Sequence, residues 1–377
     1  METSMNMDPS GNPENIKSYT LDALHDWLSA KGEKPFRARQ VFQWLYHHRI
    51  ADWSQATNLS KELRATLSGH FHLGGLALAS RLTSRDGSLK FAFQLDDGAV
   101  IETVLMPNRT QYTVCVSTQV GCAMGCGFCA TAAMGLKRNL SAGEIVQQVV
   151  EVARHLPPEK EVRNVVFMGM GEPLHNYDNL MAALEILQED TGFCLSARRL
   201  TVSTSGLVPA ILRYARDGVR ANLAVSLNGV TDEMRTALMP VNRRWNIEAV
   251  LDACRQVPSE NRYKITFEYV LLKDVTDGLA HARKLVRLLH GFKCKVNLIP
   301  YNPHPGSTFQ APSLEHAREF QQVLLNKGLL ATLRISKGQD IQAACGQLVT
   351  GGAFVEKAPA RAEMEPEEME PEERASG

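Results

Sequence analysis

Three cysteines, Cys122, Cys126 and Cys129, stand within eight residues in the stretch GCAMGCGFCATAAMG (121–135). Thiolates at such spacing hold zinc or iron–sulfur centres. A structural zinc site takes a fourth ligand, normally from a second nearby pair, and none stands close by. A [4Fe–4S] cluster held by three thiolates instead keeps one iron free for a further ligand. Gly121, Gly125, Gly127 and Ala130 let the loop fold tightly around an inorganic core. The spacing therefore favours a cluster, with zinc as the alternative.

Other groups stand where strands should end. In FMGMGEPL (167–174), Gly169 and Gly171 permit close backbone approach, and Glu172 offers a carboxylate to an ammonium. TVSTSG (201–206), AVSLNG (224–229) and LIPYNP (298–303) bring Ser203, the stretch Ser226–Leu227–Asn228, and Asn302. Each is weak by itself, and together they describe one polar rim. Of the five cysteines outside the cluster loop, two stand out: Cys115, seven residues before Cys122, and Cys345, in the small-residue stretch DIQAACGQL (340–348). A lone strand cysteine is usually a buried small hydrophobe, which is the reading for Cys194, Cys254 and Cys294.

These residues need a scaffold, and the apolar pattern describes one. From Cys115 onward, β-rich apolar runs recur at 112–117, 164–169, 199–204, 222–227, 264–272, 294–300 and 330–335. Most are separated by helical patterns of 10–15 residues, which predicts a parallel sheet with helices outside. About six units are too few for a closed eight-stranded barrel, so the expected α/β fold is an incomplete (β/α)6-type barrel over 112–350. Ser141 and Glu144 form a capping box for the helix behind the cluster loop.

Before the barrel the periodicity differs. Residues 18–74 read as a helical accessory domain, in which Ala38, Val41, Phe42 and Leu45 share one face. The segment KPFRARQVFQWLYHHR (34–49) mixes basic and aromatic side chains, which suits either an RNA contact or a solvated helix face. Residues 75–111 read as a β-hairpin extension, with Leu89, Phe91, Phe93 and Leu95 alternating before the turn DDG (96–98). Residues 1–17 read as a flexible lead and 351–377 as an acidic disordered tail.

Net charge is zero over 377 residues, yet segment 361–377 alone carries seven acidic and two basic residues. The remainder is therefore modestly basic, which permits an RNA partner. No run of 18 apolar residues marks a membrane span, and the polar start lacks a secretory core. Eight cysteines without such a signal point to a reducing, cytoplasmic setting.

Taken together, IETV (101–104), CVSTQVGCAMGCGFCATAAMG (115–135), FMGMGEPLHNYDN (167–179), RLTVSTSGLVPA (199–210), CKVNLIPYNPHPGS (294–307) and AACGQL (343–348) resemble a known family. It is the family of radical S-adenosylmethionine (SAM) enzymes that methylate adenosine C2 in bacterial 23S ribosomal RNA. The resemblance runs from about residue 18 to 350 and leaves the acidic tail outside. SLNG stands where SLHA is common in the family.

The resemblance implies a [4Fe–4S] cluster on Cys122, Cys126 and Cys129. It implies SAM contacts from Gly171, Glu172, Ser203, Ser226, Leu227, Asn228 and Asn302. By the same resemblance, two SAM molecules would be used per turnover: Cys345 would take a methyl group from one, and the other would yield a radical that removes hydrogen from the S-methyl. The resulting carbon radical would add to C2, and Cys115 would then attack the Cys345 sulfur, forming a disulfide and releasing 2-methyladenosine. Glu102 matches the assigned proton acceptor. Implied partners are 23S rRNA, an anticodon-adjacent adenosine in tRNA, and an electron donor such as flavodoxin, with the protein acting as a monomer. A thiol carrier makes chemical sense, because C2 lies between two ring nitrogens and is too electron-poor to attack a methyl sulfonium, whereas a thiolate does so readily. Two alternatives stay open: a C8-methylating relative, and a metal-containing RNA-binding protein without catalysis.

Overall fold

The structure, a computed structural model, describes residues 13–108, 111–157, 159–258 and 265–350. Residues 1–12 of the expected lead and the whole acidic tail lie outside the described residues. Of the lead, Glu14–Asn15 pairs in parallel with Phe71–His72, and Ile16 and Lys17 are buried. Residues 14–17 thus belong to the helical module rather than to a flexible lead, because burial of Ile16 fixes the chain there.

Three helices build that module: α1 (Leu21–Ala30), α2 (Phe36–Tyr46) and α3 (Lys61–His70). Thr20 caps α1 by accepting the Ala23 N–H, and Ser60 caps α3 through the Leu63 N–H. Helix α2 buries Ala38, Val41, Phe42 and Leu45, the face expected from its spacing. The module is seated on the barrel by Ser18 Oγ, which accepts from Gly143 N, and by Arg154, which donates to the Arg49 carbonyl at 2.7 Å.

Most of the rest is one ten-stranded sheet whose spatial order follows chain order, and a separate antiparallel pair, Gln119–Gly121 with Leu136–Asn139, brackets the three-cysteine loop. Its strands are β1 (Ala77–Thr83), β2 (Leu89–Gln94), β3 (Val100–Asn108), β4 (Gln111–Cys115), β5 (Val162–Phe167), β6 (Leu200–Thr204), β7 (Asn222–Ser226), β8 (Ile265–Leu271), β9 (Cys294–Pro300) and β10 (Ala331–Leu333). Strands β1 to β4 are antiparallel neighbours, and β4 to β10 are all parallel. The β-hairpin extension therefore continues the barrel sheet through β3–β4.

Helices stand in every parallel crossover, beginning with Ala142–Arg154 between β4 and β5 and ending with Leu314–Asn326 between β9 and β10. That gives six strand–helix units and a short closing strand, as the apolar runs predict. Ser141 and Glu144 make the expected reciprocal cap, at 3.1 and 2.8 Å. Parallel strands buried on both faces read as continuous apolar runs, and the core along this sheet is Val165, Phe167, Val202, Val225, Phe267, Val296 and Leu298.

Candidate active site

The carboxyl ends of the parallel strands converge on a cleft. Cys122, Cys126 and Cys129 line it from the loop after β4, and Gly171 and Glu172 from the turn after β5. Ser203 and Ser226 come from the ends of β6 and β7, Asn228 from just beyond, and Asn302 from the end of β9. Cys345 closes it from the loop after β10. Six sequence-distant segments thus meet where such sheets carry their chemistry.

Burial raises all three cluster-loop thiols, Cys122 to about 12; Cys129 adds to the rise of Cys122 and Cys126, and Cys345 to that of Cys129. Ionisation is therefore costly until a cation shares the space, which is the condition a metal centre relieves. Among the described residues, no group of three or more His, Cys, Asp or Glu is gathered tightly enough around one point to hold a single ion. Thiolates that each take a different corner of a cluster need no such convergence. One buried polar atom in the cleft lining, Glu268 Oε2, has no hydrogen-bond partner. Such an atom awaits a polar ligand. The residues present thus fit a cluster together with a polar small molecule.

Glu172 is fully enclosed, and burial raises its pKa while hydrogen bonds oppose the shift. Its oxygens accept from Ser205 N at 2.7 Å and Leu174 N at 3.1 Å. A carboxylate offers about four acceptor sites, so capacity remains for an ammonium. Gly171 has φ 104°, and a Cβ there would lie 2.6 Å from Gln119 Cβ, so no other residue fits.

Three expected ligand residues have protein partners of their own. Leu227 is buried and does not line the cleft; its N–H donates to Glu268 O at 3.0 Å. Asn228 lines the cleft in the left-handed region (φ 49°), but its Oδ1 is taken by Val270 N and its Nδ2 faces Met239 Sδ. Asn302 donates to the Cys345 carbonyl at 3.0 Å and accepts from Gln339, so it holds the Cys345 loop.

Cys115 ends β4 and lines a second, smaller cavity together with Arg334 and Cys345. Cys345 borders both cavities. Burial pushes the Cys115 thiol up to about 12; a Cys345 charge adds to this and Arg334 opposes it. The Arg334 guanidinium is held above its usual range chiefly by its attraction to Cys345. All eight cysteines are free thiols, so the disulfide expected between Cys115 and Cys345 is not a feature of this structure. Glu102 lines neither cavity; it pairs with Lys90 at 2.9 Å.

The chain matches the radical SAM superfamily model over residues 116–286 and the ribosomal RNA large subunit methyltransferase N-terminal domain over 14–73. A protein named dual-specificity RNA methyltransferase RlmN from Syntrophotalea carbinolica is 48% identical, over 92% of both chains. This chain belongs to that family of radical SAM methyltransferases. The family's protein of the same name from Syntrophobacter fumaroxidans is 46% identical over 89% of this chain and 98% of its own. A crystal structure described as a radical SAM methyltransferase from Sphaerobacter thermophilus superposes with a TM-score of 0.85 at 47% identity, covering 89% of this chain and 99% of that one.

Four site residues escape a motif search: Ser205, Glu268, Arg334 and Arg235. Glu268 interrupts the apolar strand ITFEYVL, a visible signal, since a charge inside a buried strand needs a reason. Arg235 is completely buried and ties two strand ends together, donating to the Ser205, Ser226 and Leu227 carbonyls at 2.6, 3.2 and 3.1 Å and to Asn242 Oδ1 at 2.8 Å. Arg235→Met strands those acceptors, at about 1–3 kcal/mol for each one left unsatisfied. We expect a clearly lower urea midpoint and loss of SAM binding. Wild-type values for both would show that Arg235 does not hold the rim.

Proposed function

We propose that this chain methylates C2 of an adenosine in 23S rRNA, and of an anticodon-adjacent adenosine in tRNA, through a methyl group carried on Cys345. The observation that carries this reading is the position of Cys345, between the cleft of the three cluster-loop cysteines and the cavity of Cys115. A carrier must meet a methyl donor on one side and a resolving thiol on the other.

Cys122, Cys126 and Cys129 would hold a [4Fe–4S] cluster, and Glu172, Ser203, Ser226 and neighbouring groups would hold SAM. When bound, the cluster and SAM supply the radical that removes hydrogen from an unactivated C–H. This chain's residues do the rest. As a thiolate, Cys345 attacks the sulfonium methyl; its sulfur gains the CH₃, the sulfonium C–S bond breaks, and S-adenosylhomocysteine leaves. Arg334 lines both cavities and opposes the rise that burial gives the Cys115 thiol. Two SAM molecules per turnover follow, since methyl donation and radical formation each consume one. An electron donor such as flavodoxin, a cytoplasmic setting and a monomeric enzyme complete the reading. No helix among the described residues is long and apolar enough to cross a membrane.

The direct test is anaerobic reconstitution with iron and sulfide, followed by 23S rRNA or tRNA, methyl-labelled SAM and reductant. Nucleoside analysis should return labelled 2-methyladenosine. Labelled 8-methyladenosine would overturn the C2 assignment, and unlabelled RNA the whole reading. Ala in place of Cys122, Cys126 or Cys129 should abolish iron retention, 5′-deoxyadenosine formation and RNA methylation, because each thiolate carries one iron. A variant with full iron content would remove that residue from the ligand set.

A further inference from the structure

Residues 338–349 carry Cys345 and include three left-handed positions: Gly338 (φ 67°), Gln342 (φ 52°) and Gly346 (φ 84°). Glutamine adopts that region where its surroundings impose it. Lys90, on β2, donates its Nζ to the Gln342 carbonyl at 3.2 Å. The same Nζ lies 2.9 Å from Glu102 Oε1, on the neighbouring β3. The other Glu102 oxygen accepts the Val349 N–H at 2.9 Å. One buried ion pair therefore grips both stems of the loop, three residues before Cys345 and four after it.

A second fastening lies further out, at the turn between β1 and β2. Ser84 Oγ and Arg85 N both donate to the Asp340 carboxylate, at 2.6 and 3.0 Å, and Gly338 N donates to Asp86 at 2.8 Å. On the inner side the loop is tied to the cluster loop, where Ala130 N donates to the Gly346 carbonyl at 2.8 Å. Cys345 is thus suspended between the cluster loop and the β-hairpin extension.

We propose that Lys90 and Glu102 are positioning residues, which clamp the stems of the Cys345 loop to the β-hairpin extension and so set where the Cys345 sulfur meets its methyl donor. The proposal rests on the reading of Cys345 as the methyl carrier. Neither residue lines the cleft or the Cys115 cavity, and both Glu102 oxygens are engaged. Glu102 then acts through the loop at the methyl-transfer step, a role distinct from the proton acceptance that its motif implies. The placement must be close, since misplacing a reacting atom by about 1 Å can cost about 100-fold in rate.

The two roles separate at the first step, because methylation of Cys345 needs SAM and no RNA. In reconstituted full-length protein, Glu102→Gln and Lys90→Met should each slow Cys345 S-methylation, followed by mass spectrometry, by about 100-fold. The KM for SAM should stay unchanged, and amide-exchange protection across 338–349 should fall. Lys90→Arg should restore much of the rate. Removing one partner of a buried pair can unfold a chain, so the charge-free Lys90→Met/Glu102→Gln double variant and the exposed Asp340→Asn carry the same readouts. Asp340→Asn should show the loss of protection with a smaller fall in rate.

If Glu102 were only the proton acceptor, Glu102→Gln would methylate Cys345 normally and stall only with RNA, while Lys90→Met would turn over freely. That result overturns the proposal. Wild-type protein that never methylates Cys345 would instead sink the functional reading. Exchange protection across 338–349 would then decide the clamp by itself: unchanged in every variant, it overturns the clamp; lowered, it supports it.

Discussion

Cys345→Ala is expected to yield a folded protein that retains its iron and binds SAM but leaves RNA unmethylated. The residue lines the cleft without belonging to the three-cysteine loop, so its loss removes no proposed iron ligand. The loop keeps its fastenings, because its bonds to Asn302, Ala130, Lys90 and Glu102 run through backbone carbonyls and amides and not through the Cys345 side chain. What disappears is the thiol that borders both cavities. Digestion and mass spectrometry of wild-type protein should show a methyl or methylene increment on the peptide containing Cys345, absent from the variant. Methylated RNA from Cys345→Ala would end the carrier hypothesis, since a direct transfer would then be at work.

Much of this site is legible in the amino-acid sequence. The three-cysteine loop, the Gly171–Glu172 turn and the polar strand ends are marked by residue type at positions where an apolar run stops. That signal is local, so sequence exposes it. What sequence hides is non-local. Leu227 sits inside a motif yet turns its backbone toward Glu268 and Arg235, because strand alternation points it into the core. Arg235 and Arg334 lie in stretches with no motif, and their roles depend on which strand ends meet them in space. The β-hairpin extension is visible as alternation, but its continuity with the barrel sheet depends on β3 pairing with β4, which periodicity does not encode. Glu102 shows the same limit. Its motif says nothing of Lys90 and Val349, the partners that only the fold brings to it.

Cys115→Ala is expected to purify covalently attached to RNA. Such a variant still has Cys345 to take a methyl group, and the cluster-loop cysteines are untouched, so the bond to the base still forms. Release needs a second thiolate. Cys115 attacks the Cys345 sulfur; an S–S bond forms as the S–CH₂ bond breaks, and the electron pair left on carbon takes a proton to complete the methyl group. Both cysteines line the same cavity. Their environment also sets its pH dependence. Burial is the main cause of the high Cys115 pKa, about 12, and the Cys345 charge is the second. In the adduct Cys345 is an uncharged thioether, so the second cause vanishes while the pull of Arg334 remains. The thiolate is still a minor form near neutrality, and its fraction rises with pH. Single-turnover release by wild-type protein should therefore accelerate by about tenfold per unit between about pH 7 and 9, as long as the thiolate is the attacking form. In Cys115→Ala the adduct should appear as nuclease-sensitive absorbance and reduced gel mobility, and adding Cys345→Ala should abolish it. Simple loss of packing at Cys115 would instead cost about 1 kcal/mol of stability and leave turnover near normal. A freely turning Cys115→Ala enzyme with no adduct would move the resolving role to another group.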